Sequence, residues 1–144
     1  MSDPGNEIKT VLCVDDEEGV LSSLQRILHP FGHRVLTARD GEEGVRMAQE
    51  ERPDLVILDL RMPKMDGLQA LKQLQTLGME QMTTPVPVIM LTAEDSMETT
   101  LEAYREGGVY YITKPFKSST VQNIVEYLIG DLSTEQRQKL ETML

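Results

Sequence analysis

"DLVILDL", residues 54 to 60, runs four apolar residues from one aspartate to the next and adds a leucine. A strand with one wet face alternates apolar and polar residues; this one does not. It therefore needs cover on both faces, as strands of a parallel sheet with helices above and below do. "VPVIML" (86–91) has the same character. Outward from these two lie "VLCV" (11–14), "RVLTA" (34–38) and "VYYI" (109–112). Segments of helical period separate the runs, which predicts α/β architecture: a five-stranded parallel sheet of βα units with helices on both faces.

The helical patterns are specific. Val20, Leu21, Leu24, Ile27 and Leu28 share one helix face, and His29-Pro30 should end it. Asp40 with Glu43 reads as a capping box for a second helix. Leu68, Leu71 and Leu74 mark a third, Met97, Leu101 and Tyr104 a fourth, and Val121, Ile124, Val125 and Leu128 a fifth. Gly130 should stop the fifth, and Ser133 with Gln136 should cap a short sixth. "TLGMEQMTTPVP" (76–87) reads as a long connection, punctuated by Gly78, Pro85 and Pro87.

With 144 residues the chain has one domain's length, expected as 1–130, with 131–144 a C-terminal helical extension or the start of a linker. Its 24 acidic residues against 14 basic ones give a formal net charge of -10. That balance argues against direct binding of nucleic-acid phosphates or anionic lipid. No apolar run approaches the roughly 18 residues of a membrane span, and the N-terminus has no secretory pattern. A cytoplasmic protein is expected. Cys13, the single cysteine, sits in an apolar run and should be core.

In open α/β sheets functional groups gather at the carboxyl ends of strands, near the switch point of the strand order. With the common order 2-1-3-4-5 that point lies between strands one and three. Asp15 and Asp16 end strand one and Asp59 ends strand three, so the order makes them neighbours. Thr92 and Lys114 end strands four and five and should point at the same place. Three clustered carboxylates cannot all stay ionised without a cation. Magnesium suits them, because it takes one or two carboxylates and keeps room for phosphate oxygens. A carboxylate beside such a cation can attack phosphorus to give an aspartyl phosphate, with Lys114 and Thr92 holding the phosphoryl oxygens.

"VDDE" after strand one, "LDLRMPKMDG" at strand three, "LTA" at strand four and "YITKPF" after strand five together resemble the response-regulator receiver domain of two-component signalling. Four motifs, in order, at successive strand ends make the resemblance specific, and it runs from about Lys9 to Ile129. It implies a flavodoxin/CheY-like doubly wound fold and Asp59 as phosphoacceptor. Asp16, Asp59 and the backbone carbonyl of Arg61 would be direct magnesium ligands, with Asp15 acting through water. Thr92 would be the switch hydroxyl, Lys114 the phosphate-pairing lysine and Tyr111 the aromatic that turns inward. Lys114-Pro115 would be cis, Pro63 and Gly67 would shape the loop into the third helix, and Ala93 would leave the entrance to Asp59 open. The implied partners are a sensor histidine kinase or phosphotransfer protein, and a downstream protein or attached output domain. A dimer through the fourth helix, fifth strand and fifth helix is a further expectation.

Blander readings apply to other residues. Glu17 and Glu18 read as first-turn helix carboxylates, Asp66 as a cap, and His29 and His33 as surface residues. Val109 and Tyr110 make strand five more apolar than the family pattern, suiting either an output face or cover by the tail. Two alternatives to a phosphorelay receiver, which would catalyse only its own phosphorylation and dephosphorylation, stand beside it. An aspartate-nucleophile phosphatase uses Asp-x-Asp, but Arg61 stands two residues after Asp59. A phosphate-independent pseudo-receiver would lack pocket residues that this chain has.

Overall fold

Five strands, β1 (Thr10–Val14), β2 (Arg34–Ala38), β3 (Leu55–Asp59), β4 (Val88–Ala93) and β5 (Tyr110–Lys114), pair in parallel in the order β2-β1-β3-β4-β5, as expected. The computed structural model describes residues 8–62, 65–80, 86–93, 110–130 and 132–142. Its helices are α1 (Glu18–Leu28), α2 (Gly41–Glu51), α3 (Gly67–Glu80), α4 (Ser118–Ile129) and α5 (Thr134–Glu141). The pattern Met97, Leu101, Tyr104 falls outside the described residues, so α4 is the fifth of the sequence patterns and α5 the tail helix. No helix among the described residues is long and apolar enough to cross a membrane.

The apolar runs explain the two-sided core. Successive strand residues face opposite ways, so Val11, Cys13, Ile57, Ile89 and Leu91 join Leu24 of α1 and Val121 and Val125 of α4 on one side. Leu12, Val14, Val56, Leu58, Val88 and Met90 join Ala70, Leu71 and Leu74 of α3 and Ala48 of α2 on the other. Each fully buried Leu or Ile contributes about 1.5–3 kcal/mol. Cys13 is buried, as its setting implied, and burial pushes its thiol up to about 12, so it packs as a neutral hydrophobe.

Local signals set the element ends, with some differences from expectation. Pro30 stops α1 at Leu28, but the chain continues as a 3-10 turn over His29–Phe31, which Gly32 closes at φ 79, a conformation suited to glycine. Asp40 accepts from the Glu43 amide at 2.8 Å, while Glu43 returns to the Arg39 amide at 3.3 Å, so the expected capping box is shifted by one residue. α3 runs on through Gly78 to Glu80, where a loop was expected; a single helical glycine costs only about 1 kcal/mol. Ser133 and Gln136 form the predicted box in full. His33 departs from its surface reading: its side chain is 7% exposed and its ring meets Glu126 Oε1 of α4 at 2.8 Å.

Candidate functional site

The parallel register sets the site. Val14 pairs with Leu58, so the next residues, Asp15 and Asp59, leave β1 and β3 side by side. Asp59 is level with Leu91, and Thr92 with Thr113, which brings Thr92 and Lys114 to the same edge of the sheet. Lys114 closes β5 and its peptide bond to Pro115 is cis, as the resemblance implied. Its ammonium lies 2.8 Å from Asp15 Oδ2, 3.3 Å from Asp59 Oδ1 and 3.6 Å from Glu17 Oε1. Asp15 Oδ1 accepts from the Glu17 amide at 2.9 Å, tying the carboxylate to the start of α1.

Charge is in surplus here. Asp15 is wholly buried and Asp59 nearly so. Burial raises the Asp15 pKa, against the opposing hydrogen bond and charge of Lys114 and the Glu17 amide. Burial and then the Asp15 charge push Asp59 up to about 6, although Lys114 and the backbone of Arg61 favour its ionised form. For Lys114 burial works against the charge, but its hydrogen bond to Asp15 and the charges of Asp59 and Asp15 outweigh that and raise its pKa. Among the described residues the Lys114 ammonium thus serves several carboxylates.

A divalent cation fits this surplus. Asp15, Asp16 and Glu17 each offer a carboxylate oxygen within 4.8 Å of one another, and Asp59 joins them through Lys114. Asp15 Oδ2 is solvent-inaccessible and accepts no hydrogen bond that would compete for it, the ammonium apart. Asp16 is exposed, at the mouth of the cluster. All donors are hard oxygens, the set magnesium takes. Glu17 is the residue that sequence reasoning set aside. Its position two after Asp15, at the helix start, was the signal that could have placed it here.

The remaining candidates fall around this pocket or lie beyond the described residues. Thr92 is buried and its hydroxyl donates to the Ala93 carbonyl at 3.1 Å. Ala93 is exposed, while Tyr111 is 53% exposed and points away from the core. Arg61 is exposed. Gly67 has a steric reason: a Cβ there would sit 2.5 Å from the Asp59 carbonyl oxygen, so only glycine lets α3 start against the end of β3. Asp66 and Gln69 cap that helix reciprocally, at 2.9 and 3.1 Å, bearing out the cap reading. Pro63 lies outside the described residues.

Residues 11–126 match the response regulator receiver domain. The chain belongs to the response-regulator receiver family. Similar proteins include the alkaline phosphatase synthesis transcriptional regulatory protein PhoP of Bacillus subtilis, 39% identical over 121 residues, covering 84% of this chain and 48% of that protein. Protein PilH of Pseudomonas aeruginosa is 34% identical over 120 residues, covering 83% of this chain and 97% of that one. Among solved structures, the chemotaxis protein CheY4 of Vibrio cholerae superposes with a TM-score of 0.75 at 31% identity, covering 85% of this chain and all of the other. The receiver thus spans about half the length of the PhoP relative. Receiver domains are signalling modules.

Proposed function

We propose that this receiver accepts a phosphoryl group on Asp59 in a histidine-to-aspartate phosphorelay, and that phosphorylation switches a partner-binding surface. The observation that carries the proposal is the Lys114 ammonium set between Asp15 and Asp59 at the ends of three strands. An Asp59 carboxylate oxygen attacks the phosphorus of a phosphohistidine. The new O–P bond forms as the P–N bond breaks, and the imidazole leaves with the electron pair and takes up a proton. Lys114, already 3.3 Å from Asp59 Oδ1, pairs with a phosphoryl oxygen. The Thr92 hydroxyl then turns from the Ala93 carbonyl to the phosphoryl group, and Tyr111 moves inward behind it. Magnesium, held by Asp16, Asp59 and the Arg61 carbonyl, with Asp15 through water, would lower the charge repulsion of attack.

The proposed partners are a sensor histidine kinase or phosphotransfer protein, and a downstream protein or output domain. The proposed unit is 1–130, with 131–144 as a helical extension, in the cytoplasm. Incubating the protein with acetyl phosphate and magnesium and mapping the product by mass spectrometry tests the acceptor. Asp59 should carry the phosphoryl group, and an Asp59→Asn variant should not label. Undiminished labelling of that variant would overturn the assignment.

A further inference from the structure

The tail helix α5 is held to the domain in an unusual way. None of its residues is buried, and its residues are almost all polar. Its attachment centres on one side chain, Arg137. One guanidinium nitrogen donates to the Tyr127 carbonyl, the other reaches the Gly130 carbonyl at 3.5 Å, and Cζ lies over the Tyr127 ring, 5.2 Å from its centre. The Tyr127 hydroxyl donates to Glu141 Oε1 at 2.7 Å, and its ring meets Tyr110 of β5 edge-on at 6.2 Å.

These groups sit where α4 ends. A helix C-terminus exposes carbonyls with no intrahelical partner and carries partial negative charge. The last turn of α4 has no basic residue of its own to answer them. Gly130 ends the helix tightly against its own last turn: its amide donates to the Glu126 carbonyl at 2.8 Å, and a Cβ there would fall 2.5 Å from that oxygen. Two carbonyls in reach of a planar fork, an aromatic face beside them and a chain of net charge -10 suit a guanidinium better than an ammonium.

We propose that the C-terminal end of α4, with the Tyr127 ring, is a guanidinium-binding site filled in cis by Arg137, and that α5 is a plug an arginine-bearing partner segment displaces. The plug is held loosely: α5 buries no residue, and the contacts described for it run through Arg137, Glu141 and the Tyr127 side chain. Opening uncovers the Tyr110 and Tyr127 pair beside β5, an edge strand. The two expectations for that face thus combine: the tail covers it, and a partner competes for it.

The test uses the full chain and an Arg137→Ala variant. Amides of residues 134–141 should exchange with solvent about tenfold faster in the variant, with exchange in β1 and β3 unchanged. Arg137→Lys should not restore protection, because a lysine lacks the fork and the plane. Methylguanidinium should then shift the Tyr127 resonances of Arg137→Ala saturably, and leave wild type unmoved, while ammonium at equal ionic strength should do nothing. Unchanged tail exchange in Arg137→Ala, full protection in Arg137→Lys, or equal shifts from methylguanidinium in both proteins or from ammonium would each overturn the proposal.

Discussion

Asp59 carries the sharpest tension at the scale of single residues. Its pKa is raised from 3.8 to about 6 by burial and by Asp15. A carboxyl whose folded pKa lies above its unfolded value binds its proton more tightly in the folded state. Stability therefore falls as pH rises between the two values, and the penalty is complete above about 6. In chelator, Asp59→Asn should be more stable than wild type at pH 7 by about 1–3 kcal/mol, and no more stable near pH 3. Denaturant melts at both pH values check this; an equal gain at both would refute it. His33 is a second polar side chain taken out of water, 7% exposed and paired with Glu126. His33→Ala leaves the half-buried Glu126 with one bond fewer and should cost about 1 kcal/mol in the same melts. An unchanged midpoint would show the pair contributes nothing. The sequence offered no sign of it, because the partner lies 93 residues away and neither residue repeats a local pattern.

Elements were legible wherever the signal is local. Runs such as Leu55 to Leu58 announce strands buried on both sides, and residues three apart announce caps, as Ser133 with Gln136 do; Asp66 before Gly67 reads as a cap, and its reciprocal partner Gln69 is added by the structure. Where two local rules compete the signal misleads: Gly78 reads as punctuation, yet α3 continues past it. Glu17 reads as a helix-start carboxylate, and it is one, but the same position also puts it on Lys114. The two capping boxes should differ in consequence. α3 begins against the end of β3 and buries Ala70, Leu71 and Leu74, so Asp66→Ala should cost about 1 kcal/mol of global stability. α5 buries no residue, so Ser133→Ala should fray the tail alone. Thermal melts read beside exchange of the tail amides separate the outcomes. A global loss in Ser133→Ala matching that in Asp66→Ala would mean the tail folds as one unit with the core.

At the scale of the whole molecule, the sheet assembles one pocket from positions spread over a hundred residues. Asp15, Asp59 and Lys114 come from β1, β3 and β5 ends, which the order β2-β1-β3-β4-β5 gathers at one edge. The strand order was readable as the common solution for five βα units; the sharing of one ammonium among Asp15, Glu17 and Asp59 was not, since it depends on side-chain reach after folding. This assembly makes the proposed cation site a global feature, because a cation there binds only when the strand ends are together. Binding to the folded state alone stabilises by RT ln(1 + [L]/Kd), about 1.4 kcal/mol at tenfold excess over Kd. For a domain of this size that is a rise of a few degrees in melting temperature. Magnesium at millimolar concentration should therefore raise the melting temperature of wild type, relative to the same ionic strength of sodium chloride. Asp16→Asn should lose the rise while melting near wild type without magnesium, because Asp16 is exposed and its removal opens no cavity. Asp15→Asn should lose less of the rise, as a residue acting through water. A calorimetric scan of the three proteins with and without magnesium decides it. No rise in wild type, or a full rise in Asp16→Asn, would remove magnesium or Asp16 from the proposed site.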